Sequence, residues 1–292
     1  MFIRTRRVLV AAGLLACLPA LLNPADALLW STSGQLLPSL LPSGPAGSPA
    51  AAGPLHPGVQ TLTEGGQCTA NFVFTDTAGG VYLGQAAHCS GTGEGGGTNG
   101  CDSGSRPLGT PVEVTGASRK GTLAYNSWLT MQARGETDQN ACQFNDFALV
   151  KLDPADAGRV NPSVPFFGGP TGLATTGTRL GDAVYSYGNS SLRGGLSALS
   201  PKRGVSVGDE GDGWSHLVYT VTPGVPGDSG SAFLDASGKA LGVLSTLQVL
   251  PVVGSNGVGD LSRQLAYLNA HSGLPTVTLV PGTEPFRNDL LL

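Results

Sequence analysis

Glycine and proline interrupt this chain too often for it to be built from long helices. Its 292 residues include 45 glycines and 21 prolines. Glycine loses the most backbone freedom on ordering, and proline removes a donor and breaks the helical ladder. Charged residues make up only 12% of the chain, about half the ~25% usual in soluble domains. Helical bundles and coiled coils draw on abundant Glu, Lys, Ala and Leu, so this composition argues against both. Hydrophobic residues at 40% still supply a core. Many short strands joined by glycine-rich turns meet both constraints, and the expected class is all-β. The formal charge is −4, and no basic run follows the first few residues. No nucleic-acid partner is expected.

Residues 1–27 read as a secretory signal. Arg4, Arg6 and Arg7 form a positive start, Val8 to Leu22 an apolar stretch, and Ala25-Asp26-Ala27 a small-x-small cleavage site. The apolar stretch contains Pro19 and is shorter than the ~20 residues of a membrane span. A retained anchor, or a lipid on Cys17, is the weaker alternative. The expectation is a secreted, extracellular protein, monomeric and free of the membrane once the signal is removed. Removal takes out three arginines, one aspartate and Cys17, leaving Cys68, Cys89, Cys101 and Cys142. An even count in an exported chain implies two disulfides, with three pairings open. No C-x-x-C pair occurs, so no metal site and no cofactor are expected.

Residues 28–57 carry Pro38, Pro42, Pro45, Pro49, Pro54 and Pro57 among Gly, Ala and Ser, which reads as a pro-segment or linker. The globular part is expected over 58–273, with a tail at 274–292 that holds one further strand at Thr276 to Val280. Cys68 to Phe74 and Val81 to Ala86 form a hairpin around the turn Thr75 to Gly80. Pro111 to Val114, Asp146 to Leu152, Ala183 to Tyr187, Leu217 to Val221, Ala232 to Leu234 and Ala240 to Leu244 are further strands. One helix is expected late, capped by Asp260, with Leu261, Leu265 and Leu268 on one face and Gly273 as its stop.

Three local motifs bear chemistry: Ala86-Ala87-His88-Cys89 at a strand end, Asn145-Asp146-Phe147-Ala148 opening a strand, and Gly227-Asp228-Ser229-Gly230 between strands. Taken singly, each is an ordinary turn, cap or core feature. Together they supply the groups that acyl transfer requires. A serine hydroxyl attacks only when an imidazole takes its proton. The imidazole in turn needs its far N–H held by a carboxylate.

With His88, Asp146 and Ser229 in that order, residues 58–273 resemble the trypsin/chymotrypsin-like serine peptidases, and most of all their secreted bacterial members. The resemblance implies two antiparallel six-stranded β-barrels, divided near 162–170, followed by the C-terminal helix. It implies an endopeptidase acting on proteins or peptides, with the site in the cleft between the barrels. The backbone N–H groups of Gly227 and Ser229 would form the oxyanion hole. Cys68 would pair with Cys89, which leaves Cys101 with Cys142. Ser245 would bond Asp146 and, with Pro223, Thr246 and Leu247, bind substrate.

The sequence departs from the family in two places. No basic residue precedes an Ile-Val-Gly-Gly-like run, so no α-amine is in view as partner for Asp228. By the resemblance an internal arginine can take that place, and Arg179, Arg193 and Arg203 are the open candidates. Pro223 stands six residues before Ser229 where trypsin-like specificity uses an acid, so nothing there would neutralise a buried cation. Leu247 would narrow the pocket, and a small or medium apolar residue before the scissile bond is expected. Asp209, Glu210 and Asp212 fail the calcium-loop spacing and read as a solvated loop. His56, His216 and His271 lack partner motifs. A non-catalytic binding module on the same fold, and an esterase or amidase of broad reactivity, are the rival readings.

Overall fold

Alternating strands and turn residues build a mostly β protein. The computed structural model describes residues 53–93, 99–247 and 254–289. The signal expected at 1–27, and the proline-rich segment up to residue 52, lie outside the described residues. Among the described residues, no helix is long and apolar enough to cross a membrane.

The N-terminal half supplies β1 (Gln60–Thr63), β2 (Gly66–Thr69), β3 (Val73–Asp76), β4 (Val81–Gln85), β5 (Pro111–Val114), β6 (Gly121–Asn126) and β7 (Ala148–Lys151). The expected hairpin exists as β3–β4, but its first strand starts at Val73 and runs to Asp76; Cys68 and Thr69, expected in the same strand, belong to β2 and pair with β1. The Asp76 carboxylate accepts from the N–H groups of Ala78 and Gly80 and from the Tyr82 hydroxyl, which closes the turn. Three short helices, α1 (Ser127–Arg134), α2 (Gln139–Phe144) and α3 (Pro154–Ala157), fall between or after these strands. Asn126 caps α1 by accepting from the N–H groups of Trp128 and Leu129, and Asp138 caps α2.

The C-terminal half supplies β8 (Ala183–Tyr187), β9 (Pro201–Glu210), β10 (Ser215–Thr220), β11 (Ala232–Leu234), β12 (Ala240–Leu247) and β13 (Asn256–Asp260). These six close into a barrel in the order β10-β13-β12-β11-β8-β9. Its interior is filled by Val184, Val218, Phe233, Leu241 and Val258, all fully buried. Helix α4 (Leu261–His271) follows, with Asp260 accepting from Arg263 N–H and Leu261, Leu265 and Leu268 turned inward.

The expectation of two six-stranded barrels needs correcting. The first half forms an eight-stranded antiparallel sheet, β14-β3-β4-β7-β6-β5-β1-β2, and it does not close. Its outermost strand is β14 (Val277–Leu279), which returns after α4 to pair with β3. Among the described residues β14 covers the edge of β3, and no pairing joins β14 to β2 at the other end of the sheet. The expected strand at Thr276 to Val280 therefore exists, and its place is on the first sheet. The two halves share one apolar core. Phe74 and Phe147 meet edge-to-face at 5.5 Å, and they belong to the same buried cluster as Tyr185, Val243 and Leu268 of the second half.

Candidate active site

Strand pairing brings the first two candidate residues together. Gln85 at the end of β4 faces Ala148 at the start of antiparallel β7. The residues just beyond Gln85 therefore run beside those just before Ala148. His88 sits in the 3-10 turn Ala87–Ser90, and Asp146 follows α2. His88 Nδ1 lies 2.6 Å from Asp146 Oδ2, and the His88 backbone N–H donates to Asp146 Oδ1 at 2.9 Å. From β12 of the barrel, Ser245 Oγ donates to the same Asp146 Oδ2 at 2.6 Å.

Electrostatics reinforce this geometry. Asp146 is fully buried. Burial alone would raise its pKa, but the charge of His88 and the hydrogen bonds from His88 and Ser245 hold it below the usual carboxylate range. For His88, burial works to lower the pKa, and the Asp146 charge and hydrogen bond outweigh it and raise it. An imidazole whose Nδ1–H is held by a carboxylate presents Nε2 as the proton acceptor. The Sγ atoms of Cys68 and Cys89 and a ring nitrogen of His88 lie within 4.8 Å of one another. The two cysteines are joined to each other in a disulfide, as Cys101 is to Cys142, so they offer no thiolate.

Ser229 is half-buried and lines the same cleft as His88, a space of about 530 Å³. Its loop is anchored from both halves. Thr69 N–H donates to the Ser229 carbonyl at 2.8 Å. Gln67 Nε2 and Thr69 Oγ1 each donate to the Gly227 carbonyl at 2.8 Å. Ser190 Oγ donates to the Pro226 carbonyl at 2.5 Å. In a planar trans peptide the C=O and the following N–H point in opposite directions. Fixing the Pro226 carbonyl on Ser190 therefore turns the Gly227 N–H away from Ser190, and Gly227 itself borders the cleft. Gly227 has φ +94°, a conformation glycine adopts without cost.

Asp228 is buried and paired internally. Of the three arginines considered, Arg193 reaches it, Nη2 to Oδ2 at 2.6 Å. Lys202 joins from β9 at 3.0 Å. Arg203 lies over the Tyr185 ring, and the Arg179 N–H donates to Asp182.

Ser245, Thr246 and Leu247 line the cleft. Pro223 is not among its lining residues; its carbonyl accepts from Arg193 Nη2 at 3.0 Å. The sequence reading missed Asn256, which is almost fully buried in the cleft wall. Its Oδ1 accepts from Gly224 N–H at 2.8 Å, and its Nδ2 donates to the Thr246 carbonyl at 3.1 Å. It thus ties the segment before Ser229 to the strand carrying Ser245. Glu64 and Arg106, ion-paired at 2.9 Å, also line the cleft. No local motif marks Asn256, Lys202 or this pair.

His216 has partners that the sequence did not reveal. It is fully buried, with Nδ1 2.7 Å from Asp209 and Nε2 3.0 Å from Asp260. Asp209 is held further by the N–H and hydroxyl of Thr178, so it is part of the barrel wall and not merely a solvated loop residue.

No family model matches the chain, and no curated protein matches it. Among solved structures it is similar to Thermobifida fusca Protease A, at 18% identity over 78% of this chain and 99% of that one, with a TM-score of 0.49. It is also similar to Nocardiopsis Protease, at 18% identity over 77% and 98%, TM-score 0.44. A third is a glutamic acid specific serine protease, at 19% identity over 77% and 100%, TM-score 0.46. These neighbours are bacterial serine proteases. At these identities and TM-scores the likeness assigns this chain no family and no residue a role.

Proposed function

We propose that this chain is a secreted serine endopeptidase that cleaves proteins or peptides as a monomer. The observation that carries the reading is the Asp146–His88 pair, braced by Ser245 and facing a cleft that also exposes Ser229. In this mechanism His88 Nε2 takes the Ser229 proton as Oγ attacks the scissile carbonyl, then returns it to the leaving amine. Asp146 holds the imidazole tautomer and stabilises the imidazolium. The N–H groups of Gly227 and Ser229 receive the developing oxyanion, a contribution typically worth ~3 kcal/mol per donor. Water then hydrolyses the acyl-enzyme by the same route.

The wall beside Ser229 supports a small or medium apolar residue before the scissile bond. Asn256 bridges that wall, and Gly224, Val225 and Leu244 line it without a carboxylate. A buried lysine or arginine side chain would have no counter-ion on that wall, and the carboxylate that does line the cleft, Glu64, is exposed and already paired with Arg106. A peptide-library digest tests this, and predominant cleavage after Lys, Arg or Glu would overturn it. Ser229→Ala tests the reaction itself: it is expected to keep the fold and abolish peptide hydrolysis, and near-wild-type turnover in that variant would refute the assignment.

A further inference from the structure

Asp228 holds more positive charge than it neutralises. Its carboxylate receives Arg193 Nη2 at 2.6 Å and Lys202 Nζ at 3.0 Å, and also the N–H groups of Ser190 at 3.0 Å and Val225 at 3.1 Å. Two cations therefore share one anion. The Lys202 side chain is fully buried and the Arg193 side chain is 9% exposed. Backbone closes over the pair: a Cβ on Gly188 would stand 2.4 Å from Asp228 Oδ1 and 2.8 Å from Lys202 Cε.

Such an arrangement is a poor device for stability. Burial pushes the Lys202 ammonium below the ordinary lysine range; Asp228 pulls it back up, and Arg193 adds to the downward push. Without Lys202, Asp228 would still have Arg193 and two N–H donors, and the surplus charge would be gone. Breaking a buried pair is usually damaging because it strands a charge. Here it strands none. What the surplus charge does have is position: Asp228 lies between Gly227 and Ser229, the two proposed oxyanion donors.

We propose that Lys202 is a positioning residue of the reaction described above, acting through Asp228 to fix the Gly227–Ser229 loop with net positive charge behind it. A neutral substrate carbonyl gains little from that charge. The oxyanion that forms on attack gains much more, because a buried, preorganised charge is weakly screened. An interaction made only in the transition state appears in kcat and not in KM. The inference rests on the serine-peptidase reading.

Lys202→Met tests it, since methionine is a flexible, uncharged side chain that fills the apolar part of the lysine's space. The expected result is a kcat lower by roughly tenfold, a KM within about twofold of wild type, and a melting temperature unchanged or raised. A merely structural lysine would give the opposite pattern, a lowered melting temperature with kcat per folded molecule intact. An unchanged kcat, a kcat lost together with stability, or a variant that does not fold would each overturn the inference. Wild-type protein run alongside separates the two levels. Absence of turnover there would sink the peptidase reading itself, whereas wild-type turnover with an unaltered variant would sink only the role of Lys202.

Discussion

Replacing Gly227 with alanine would test whether the nucleophile loop is held as tightly as its hydrogen bonds imply. At φ +94° an L-residue is strained, at a cost of roughly 1–2 kcal/mol. The new Cβ would also stand 2.4 Å from Gln67 Oε1 and 2.9 Å from Ser190 Oγ. Neither neighbour gives way freely. Gln67 Oε1 accepts from Ser191 N–H at 3.0 Å while its Nε2 donates to the Gly227 carbonyl. Ser190 Oγ donates to Pro226 and accepts from Leu192 N–H. Moving them forfeits one or two hydrogen bonds at about 1 kcal/mol each. The total is about 3 kcal/mol, and for a folded unit of this size the melting temperature should fall by roughly 10 °C. If the chain relieves the strain by rotating the 226–227 peptide, the Gly227 N–H leaves its place, and kcat should drop by about 10²–10³. Calorimetry and steady-state kinetics on one peptide substrate read both effects. A Gly227→Ala protein with wild-type kcat and melting temperature would refute the argument that this backbone conformation is required.

Further outcomes are expected. Ser245→Ala removes one of the hydrogen bonds on Asp146 but leaves both from His88, so kcat should fall several-fold without being abolished; kinetics at fixed pH check this. Because the His88 pKa is raised above its ordinary 6.5, kcat/KM should decline as the pH falls through a value above 6.5, where the imidazole takes up its proton. In Asp146→Asn the cause of that rise is gone, and the residual activity should titrate at a lower pH. The same shift has a stability counterpart: the His88 contribution is fully present below pH 6.5 and is lost as the pH rises through the folded-state pKa. The Cys101–Cys142 disulfide spans 41 residues; serine at both positions should cost about 4 kcal/mol in a chain-entropy estimate, measurable by denaturant unfolding.

Four of the six barrel strands, β8, β10, β11 and β12, were legible as short apolar runs bounded by glycine and polar turns; β9 and β13 were not, because Pro201–Glu210 and Asn256–Asp260 carry no apolar run. Helix α4 was legible from Asp260 and three leucines on one face. Helix α1 was not, because it buries only Ser127, Trp128 and Met131 and presents a narrow apolar stripe. Its signals were Asn126 before it and Gly135 after it. Sheet closure was not readable either. Whether β14 pairs with β3 depends on contacts about 200 residues apart, and no local pattern encodes them. The same holds for charge. His88, Asp146 and Ser229 stand in motifs. Lys202 in β9, and His216 between Asp209 and Asp260, acquire their partners only when distant strands meet. Asn256 reads as an ordinary polar residue until β13 carries it into the cleft wall.

The proposed mechanism makes Ser229 an activated nucleophile beside a formed oxyanion hole. Treating the folded protein with a fluorophosphonate and weighing it intact tests that most directly, with Ser229→Ala in parallel. One adduct per chain is expected, absent from the variant. Folded wild-type protein that takes up no adduct, or a variant that takes up the same one, would contradict it.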